Sequence, residues 1–182
     1  MFEKKSHSLA IVTACIAATL LTGCVHNRPV NMTVAKAALI DTQGASAGSV
    51  TITQSDPALL LKVQVSGLKQ GTYAMHLHQV GKCDMPGFTT AGPHWNPAGK
   101  QHGLANMQGP HAGDLPNFNA ASDGTANITV DLADMALVSG AQPLLDADGA
   151  ALLIHAQPDD NMTDPSGNSG ARIICGVFSL AR

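Results

Sequence analysis

Eight histidines stand in this chain of 182 residues, and six of them, His76, His78, His94, His102, His111 and His155, fall beyond its first third. His76 and His78 are two apart in an alternating segment. On a strand both imidazoles would project from one face, a ready bidentate grip for a metal ion. The same pair on a solvated face would carry no chemistry. His94, His102, His111 and Asp114 share one 21-residue stretch. Three imidazoles and a carboxylate satisfy tetrahedral zinc and match its borderline softness. The glycines around them let the chain fold back on itself; the alternative is a polar surface loop. His155 closes the apolar run Ala150-Ala151-Leu152-Leu153-Ile154. A lone histidine there is ordinarily a satisfied strand-end residue, and only convergence with the others would make it a ligand.

Something must bring these residues together. Period-two alternation predicts strands over 34–40, 48–53, 59–65, 72–79, 127–132, 150–155 and 172–180, with Gly, Pro, Asn and Asp between them and a turn at Asp56-Pro57. Several such strands in one domain argue an all-β antiparallel sandwich or barrel. Two segments resist assignment: 80–117, rich in Gly and Pro, and 156–171. A loop as long as the first is uncommon in a compact domain unless something orders it. It holds Cys83, His94, His102, His111 and Asp114, so a disulfide and a metal ion would supply that order.

The first residues read as an export signal. Lys4 and Lys5 precede an apolar run over 9–21, too short for an ordinary membrane span of about 20 residues. The run ends in Leu21-Thr22-Gly23-Cys24, which resembles the lipobox of bacterial lipoproteins; a secretory signal with an incidental cysteine is the alternative. The expected organisation is a signal over 1–23, a tether over 24–32 lipidated on Cys24, and one domain over 33–182. Acyl chains on Cys24 would hold the protein on the periplasmic side of the envelope. Val25 is not the aspartate associated with inner-membrane retention, which favours the outer membrane. Cleavage removes Cys15 and lipidation occupies Cys24, leaving Cys83 and Cys175, 92 positions apart. In an exported chain one remaining pair suggests a disulfide; two reduced buried thiols are the alternative.

Met75-His76-Leu77-His78, Ala91-Gly92-Pro93-His94-Trp95-Asn96-Pro97, His111-Ala112-Gly113-Asp114-Leu115-Pro116-Asn117 and Gly167-Asn168-Ser169-Gly170-Ala171-Arg172-Ile173-Ile174-Cys175-Gly176-Val177 follow one another in this chain. In order and spacing it resembles the copper/zinc superoxide dismutases over about residues 34–180. The resemblance implies an eight-stranded antiparallel Greek-key β-barrel with two long functional loops. It also implies dismutation of superoxide to dioxygen and hydrogen peroxide by a redox-cycling copper ion beside a structural zinc ion. It assigns copper to His76, His78, His94 and His155, and zinc to His94, His102, His111 and Asp114, with His94 shared as the bridge and proton carrier. Asp159 matches an aspartate linking a copper histidine to a zinc histidine. Arg172 matches the arginine that guides the anionic substrate, and Cys83 and Cys175 match the family's disulfide.

Two departures concern substrate steering. The segment 156–171 contains Asp159, Asp160 and Asp164 and no lysine, where the family often places lysine, and Trp95 stands where Phe or Tyr is common. Lys82 or Lys100 is expected to substitute. A formal net charge of −3, with cations scattered, offers no basic stripe for nucleic acid. Oligomeric state, monomer or homodimer, is not legible. Two other readings compete: a non-catalytic copper/zinc-binding or delivery protein of the same fold, and a structural β-domain of the cell surface.

Overall fold

The computed structural model describes residues 32–55, 58–132 and 135–181. The signal, Cys24, the tether up to residue 31 and the expected turn at Asp56-Pro57 lie outside the described residues.

Alternation turns the first three strands into one wall of a core. β1 (Met32–Asp41) points Ala35, Ala37 and Leu39 inward and Lys36 outward. β2 (Ser46–Ser55) contributes Val50 and Ile52, and β3 (Ala58–Val65) contributes Leu59, Leu61, Val63 and Val65. Antiparallel register sets Val50 opposite Val63 and Ile52 opposite Leu61, so the apolar sets share a face. Burying each such side chain contributes roughly 1.5–3 kcal/mol.

The remaining elements are β4 (Gly71–Tyr73), β5 (Met75–His78), a single 3-10 turn (Thr89–Ala91), β6 (Phe118–Ala120), β7 (Ala126–Asp131), β8 (Ala151–His155), β9 (Arg172–Val177) and β10 (Ser179–Leu180). One curled antiparallel sheet runs β5-β8-β9-β1-β2-β3-β7, with β10 also on β1, and β4 pairs with β6. The ten segments make eight strands, because β4 and β5 are one run interrupted at Ala74, and β9 and β10 one run interrupted at Phe178. The jumps from β5 to β8 and from β3 to β7 are the crossovers of a Greek key.

The segment expected as one strand over 72–79 therefore changes partner halfway. The Ala74 N–H donates to the Gln157 carbonyl and the Ala74 carbonyl accepts from the His155 N–H, so the start of the second long loop is pinned at the break. β6 was not among the expected strands; three residues are too few to show a period. β8 has lost alternation for a physical reason. Leu152 and Ile154 enter the main core, while Ala151 and Leu153 pack with Phe88, Ala91 and Cys175 in a second apolar layer supplied by the first long loop.

As expected, the stretch 80–117 carries no strand and only the one short 3-10 turn. Its beginning is tied to β9 by the Cys83–Cys175 disulfide. Closing a loop of 92 residues restricts the unfolded chain by about 4–5 kcal/mol in the chain-entropy account. Replacing both cysteines by serine is expected to lower unfolding free energy by about 2–5 kcal/mol. Denaturant unfolding of the two proteins measures it, and an unchanged midpoint would remove the disulfide from the stabilising interactions.

Candidate metal centre

β5 is the foundation of the site. Met75 and Leu77 face the core, which turns His76 and His78 to the opposite face, where the long loops bury them completely. The first long loop returns to this strand twice. The Trp95 N–H donates to the Leu77 carbonyl, the Leu77 N–H to the Gly113 carbonyl, and the Gly113 N–H to the Trp95 carbonyl, all at 2.8–2.9 Å. These bonds set His94 beside His78 and Asp114 beside His76. Gly113 is required by the closeness of the approach: a Cβ there would lie 2.3 Å from the Leu77 carbonyl oxygen. His155 arrives from the end of β8, where a register shift places it opposite Arg172 of β9.

Two clusters result. In the first, His76, His78, His94 and His155 each bring one ring nitrogen within 4.8 Å of the others. These atoms, His76 Nδ1, His78 Nε2, His94 Nε2 and His155 Nε2, are the buried side-chain polar atoms without a hydrogen-bond partner among the described residues. The second ring nitrogens are satisfied. His78 Nδ1–H donates to the Gly92 carbonyl at 2.8 Å, His155 Nδ1–H faces the Gly170 carbonyl and Ser169 Oγ, and His76 Nε2–H donates to Asp159 Oδ2 at 2.7 Å. Each bond fixes a tautomer that leaves a lone pair on the converging nitrogen.

In the second cluster Asp114 Oδ1 lies 2.8 Å from His94 Nδ1, 3.0 Å from His102 Nδ1 and 3.3 Å from His111 Nδ1. Asp114 Oδ2 accepts the backbone N–H groups of Gly103 and His111, which aims the carboxylate. His94 belongs to both clusters through different nitrogens, Nε2 to the first and Nδ1 to the second. Asp159 ties them from behind, accepting from His76 Nε2–H on one oxygen and from His102 Nε2–H at 2.9 Å on the other. All six expected histidines, Asp114 and Asp159 thus come together.

Electrostatics favour free lone pairs. Burial, reinforced by the neighbouring His94, holds His78 down to about 2; burial, reinforced by His76, holds His155 to about 3. Burial lowers His94 to about 4 against the raising effect of Asp114. For Asp114 burial acts upward but is outweighed by hydrogen bonds from His94 and the Gly103 N–H, giving about 2. Asp159, likewise pushed up by burial, is held to about 2 by bonds from His76 and His102. Neutral imidazoles and ionised carboxylates are the forms that ligate metal ions.

The guanidinium of Arg172 is fixed by two carbonyls at 2.8 Å, Phe88 and Gly92, the latter also the acceptor for His78. It lines a recess with Pro86, Thr89, Gly170 and Ala171, in which no lysine among the described residues takes part. Lys100 lines a different recess, beside His111 and Asp114. Several residues that matter here were given no role by the sequence. Asn117 grips the Asp159 backbone with its side-chain amide, donating to the Asp159 carbonyl and accepting its N–H, both at 2.8 Å. The carbonyls of Gly92 and Phe88 are invisible to any reading of side-chain types.

An all-β domain with two adjoining ligand clusters that share one imidazole defines a class of two-metal protein. The chain matches the family model described as copper/zinc superoxide dismutase (SODC) over residues 46–178. It is 44% identical over 138 residues to the Superoxide dismutase [Cu-Zn] of Caulobacter vibrioides, covering 74% of this chain and 79% of that one. It is 40% identical over 143 residues to the Superoxide dismutase-like protein YojM of Bacillus subtilis, covering 77% and 73%. Among solved structures, a SOD-like protein from Bacillus subtilis superposes with a TM-score of 0.75 at 39% identity, covering 78% of this chain and 96% of that one. The Cu/Zn superoxide dismutase from Brucella abortus gives 0.62 at 27%, covering 79% and 98%. The chain belongs to the copper/zinc superoxide dismutase family.

The pKa shifts give a signed expectation for the metal-free protein. Unfolded histidines take up protons below about 6.5, while folded His78, His94 and His155 refuse them until about 2–4. The unfolded state binds more protons in that window, so stability falls as pH drops through it; Asp114 and Asp159 add the same sign below about 4. The unfolding midpoint of chelator-treated protein is expected to fall steadily between about pH 7 and pH 4. A flat profile would contradict it.

Proposed function

We propose that this protein dismutates superoxide to dioxygen and hydrogen peroxide, with copper held by His76, His78, His94 and His155 and zinc by His94, His102, His111 and Asp114. The observation that carries the reading is the set of four buried imidazole nitrogens within 4.8 Å of one another, without hydrogen-bond partners among the described residues. Leaving a buried acceptor unpaired costs about 1–3 kcal/mol, and a metal ion answers all four at once. Four imidazole nitrogens suit copper, and three imidazoles with a carboxylate suit zinc. Bound copper supplies reversible one-electron chemistry, and zinc supplies a redox-silent charge.

The chain's own groups supply the rest. Arg172, adjacent to His155 across the β8–β9 pair and clamped at its guanidinium, presents a fixed positive charge to a small anion. His94 Nε2 is able to hold a proton and deliver it to the reduced product, while Nδ1 remains engaged by the second cluster. Asp159 and Asn117 keep the rings of His76 and His102 from turning. Arg172 is the cation lining the recess formed with Pro86, Thr89, Gly170 and Ala171, which supports a part for it in guiding the substrate. The intact ligand set and Arg172 favour an enzyme over a metal-delivery protein of the same fold.

The Cys83–Cys175 disulfide supports an extracytoplasmic location, since such bonds persist in oxidising compartments. Lipid on Cys24, holding the protein to the outer membrane, is the finer reading, supported by Leu21-Thr22-Gly23-Cys24 at the end of an apolar run.

Elemental analysis beside a superoxide-consumption assay tests the activity. The protein is expected to hold equimolar copper and zinc, and His94→Ala is expected to reduce turnover by about 100-fold or more. Equimolar metal without superoxide consumption would instead establish the binding-protein alternative. For the anchor, labelled fatty acid is expected on the wild-type chain and absent from Cys24→Ser; equal labelling would exclude Cys24 as the attachment point.

A further inference from the structure

We propose that Asp164 is a positioning residue for the His102–His111 cluster, reaching it from the opposite long loop and setting how tightly that cluster holds its ion. The inference rests on the assignment of His102 and His111 as zinc ligands.

The segment 156–171 carries three aspartates where the copper/zinc superoxide dismutases often place lysine. The structure gives each a task. Asp159 joins His76 to His102. Asp160 stays within its own loop: Oδ1 accepts the N–H groups of Met162 and Thr163, and Oδ2 accepts from Thr163 Oγ1 and Asn168 Nδ2. Asp164 crosses to the first loop. Its Oδ1 accepts the His102 backbone N–H at 2.7 Å and lies 3.8 Å from His111 Nε2.

Each histidine of the second cluster has one nitrogen turned away from it. For His94 that nitrogen belongs to the first cluster, and for His102 it is held by Asp159. For His111 it is Nε2, and among the described residues the carboxylate within ionic reach of it is Asp164. Ligating histidines ordinarily rely on such a partner to fix ring orientation and raise basicity. One oxygen of Asp164 therefore serves two ligands, His102 through its backbone and His111 through its ring. The loop seam has other contacts beside this one. The Ala105 N–H donates to the Asn161 carbonyl at 3.0 Å, and Gly103 lets the two backbones close: a Cβ there would lie 2.2 Å from the Asn161 oxygen.

Zinc affinity, read by competition with a chromogenic chelator on the full chain, and the visible spectrum of cobalt(II) in the same site test the proposal. Asp164→Ala is expected to weaken zinc by about tenfold, the low end for loss of a ligand's partner because Asp164 is itself half exposed. Asp164→Asn keeps an acceptor for the His102 N–H but not the charge facing His111. It is expected to weaken zinc by a smaller factor and to shift the cobalt spectrum. An asparagine variant that matches wild type in both readouts overturns the proposal, whatever the alanine variant does. A wild-type chain that takes up no zinc overturns instead the ligand assignment beneath it, so the two failures are distinct.

Discussion

Four imidazole nitrogens shut away from water, with no hydrogen-bond partner among the described residues, are the constraint on which this structure depends. A β-barrel normally leaves outward-facing strand residues solvated, and His76 and His78 would be ordinary surface groups on a bare β5. The long loops change that by covering them completely. Once covered, His78 is kept neutral by desolvation, and both rings are held in one tautomer by the acceptors behind them. The fold thereby maintains a local destabilisation that binding of a metal ion relieves, which couples metal affinity to folding free energy.

The loops achieve this without regular secondary structure because they borrow the backbone of β5. The strand's edge bonds, through Leu77, serve as the template for Trp95 and Gly113, so the positions of His94 and Asp114 follow from strand geometry. Where backbones must pass within van der Waals contact, glycine stands. At Gly167, φ is +61° and a Cβ would lie 1.7 Å from Asp159 Oδ1, so any side chain would drive Asp159 away from His76 and His102. Asp159 and Asp164 reach from the second loop to the first, while Asp160 braces its own loop, so each carboxylate of that negative segment has a structural partner.

The same economy links the recess to the site. The Gly92 carbonyl accepts from both His78 and Arg172, and the Cys83–Cys175 disulfide anchors the beginning of the loop that presents it. Arg172 itself begins β9, three residues before Cys175, so the guanidinium and the disulfide are carried by the same strand. Movement of that loop would shift the Arg172 guanidinium and the His78 ring together.

The strands and ligand types were legible in the sequence because both are local properties. Alternation in residues 34–40, 48–53 and 59–65 reflects one wet face and one dry face, and the core residues fell where that period put them. Spacing alone singled out His76 with His78, and His94, His102 and His111 with Asp114, while the family resemblance joined His155 and Asp159 to them, since no spacing rule connects residue 78 with residue 155. The break at Ala74, the three-residue β6 and the two-sided burial of β8 were decided by partners far along the chain, which no local window contains. The roles of Asn117, Asp164 and the Gly92 carbonyl likewise came from tertiary structure alone. Residue types declare what a chain is able to bind, but which nitrogen faces which acceptor depends on backbone hydrogen bonds between segments tens of residues apart.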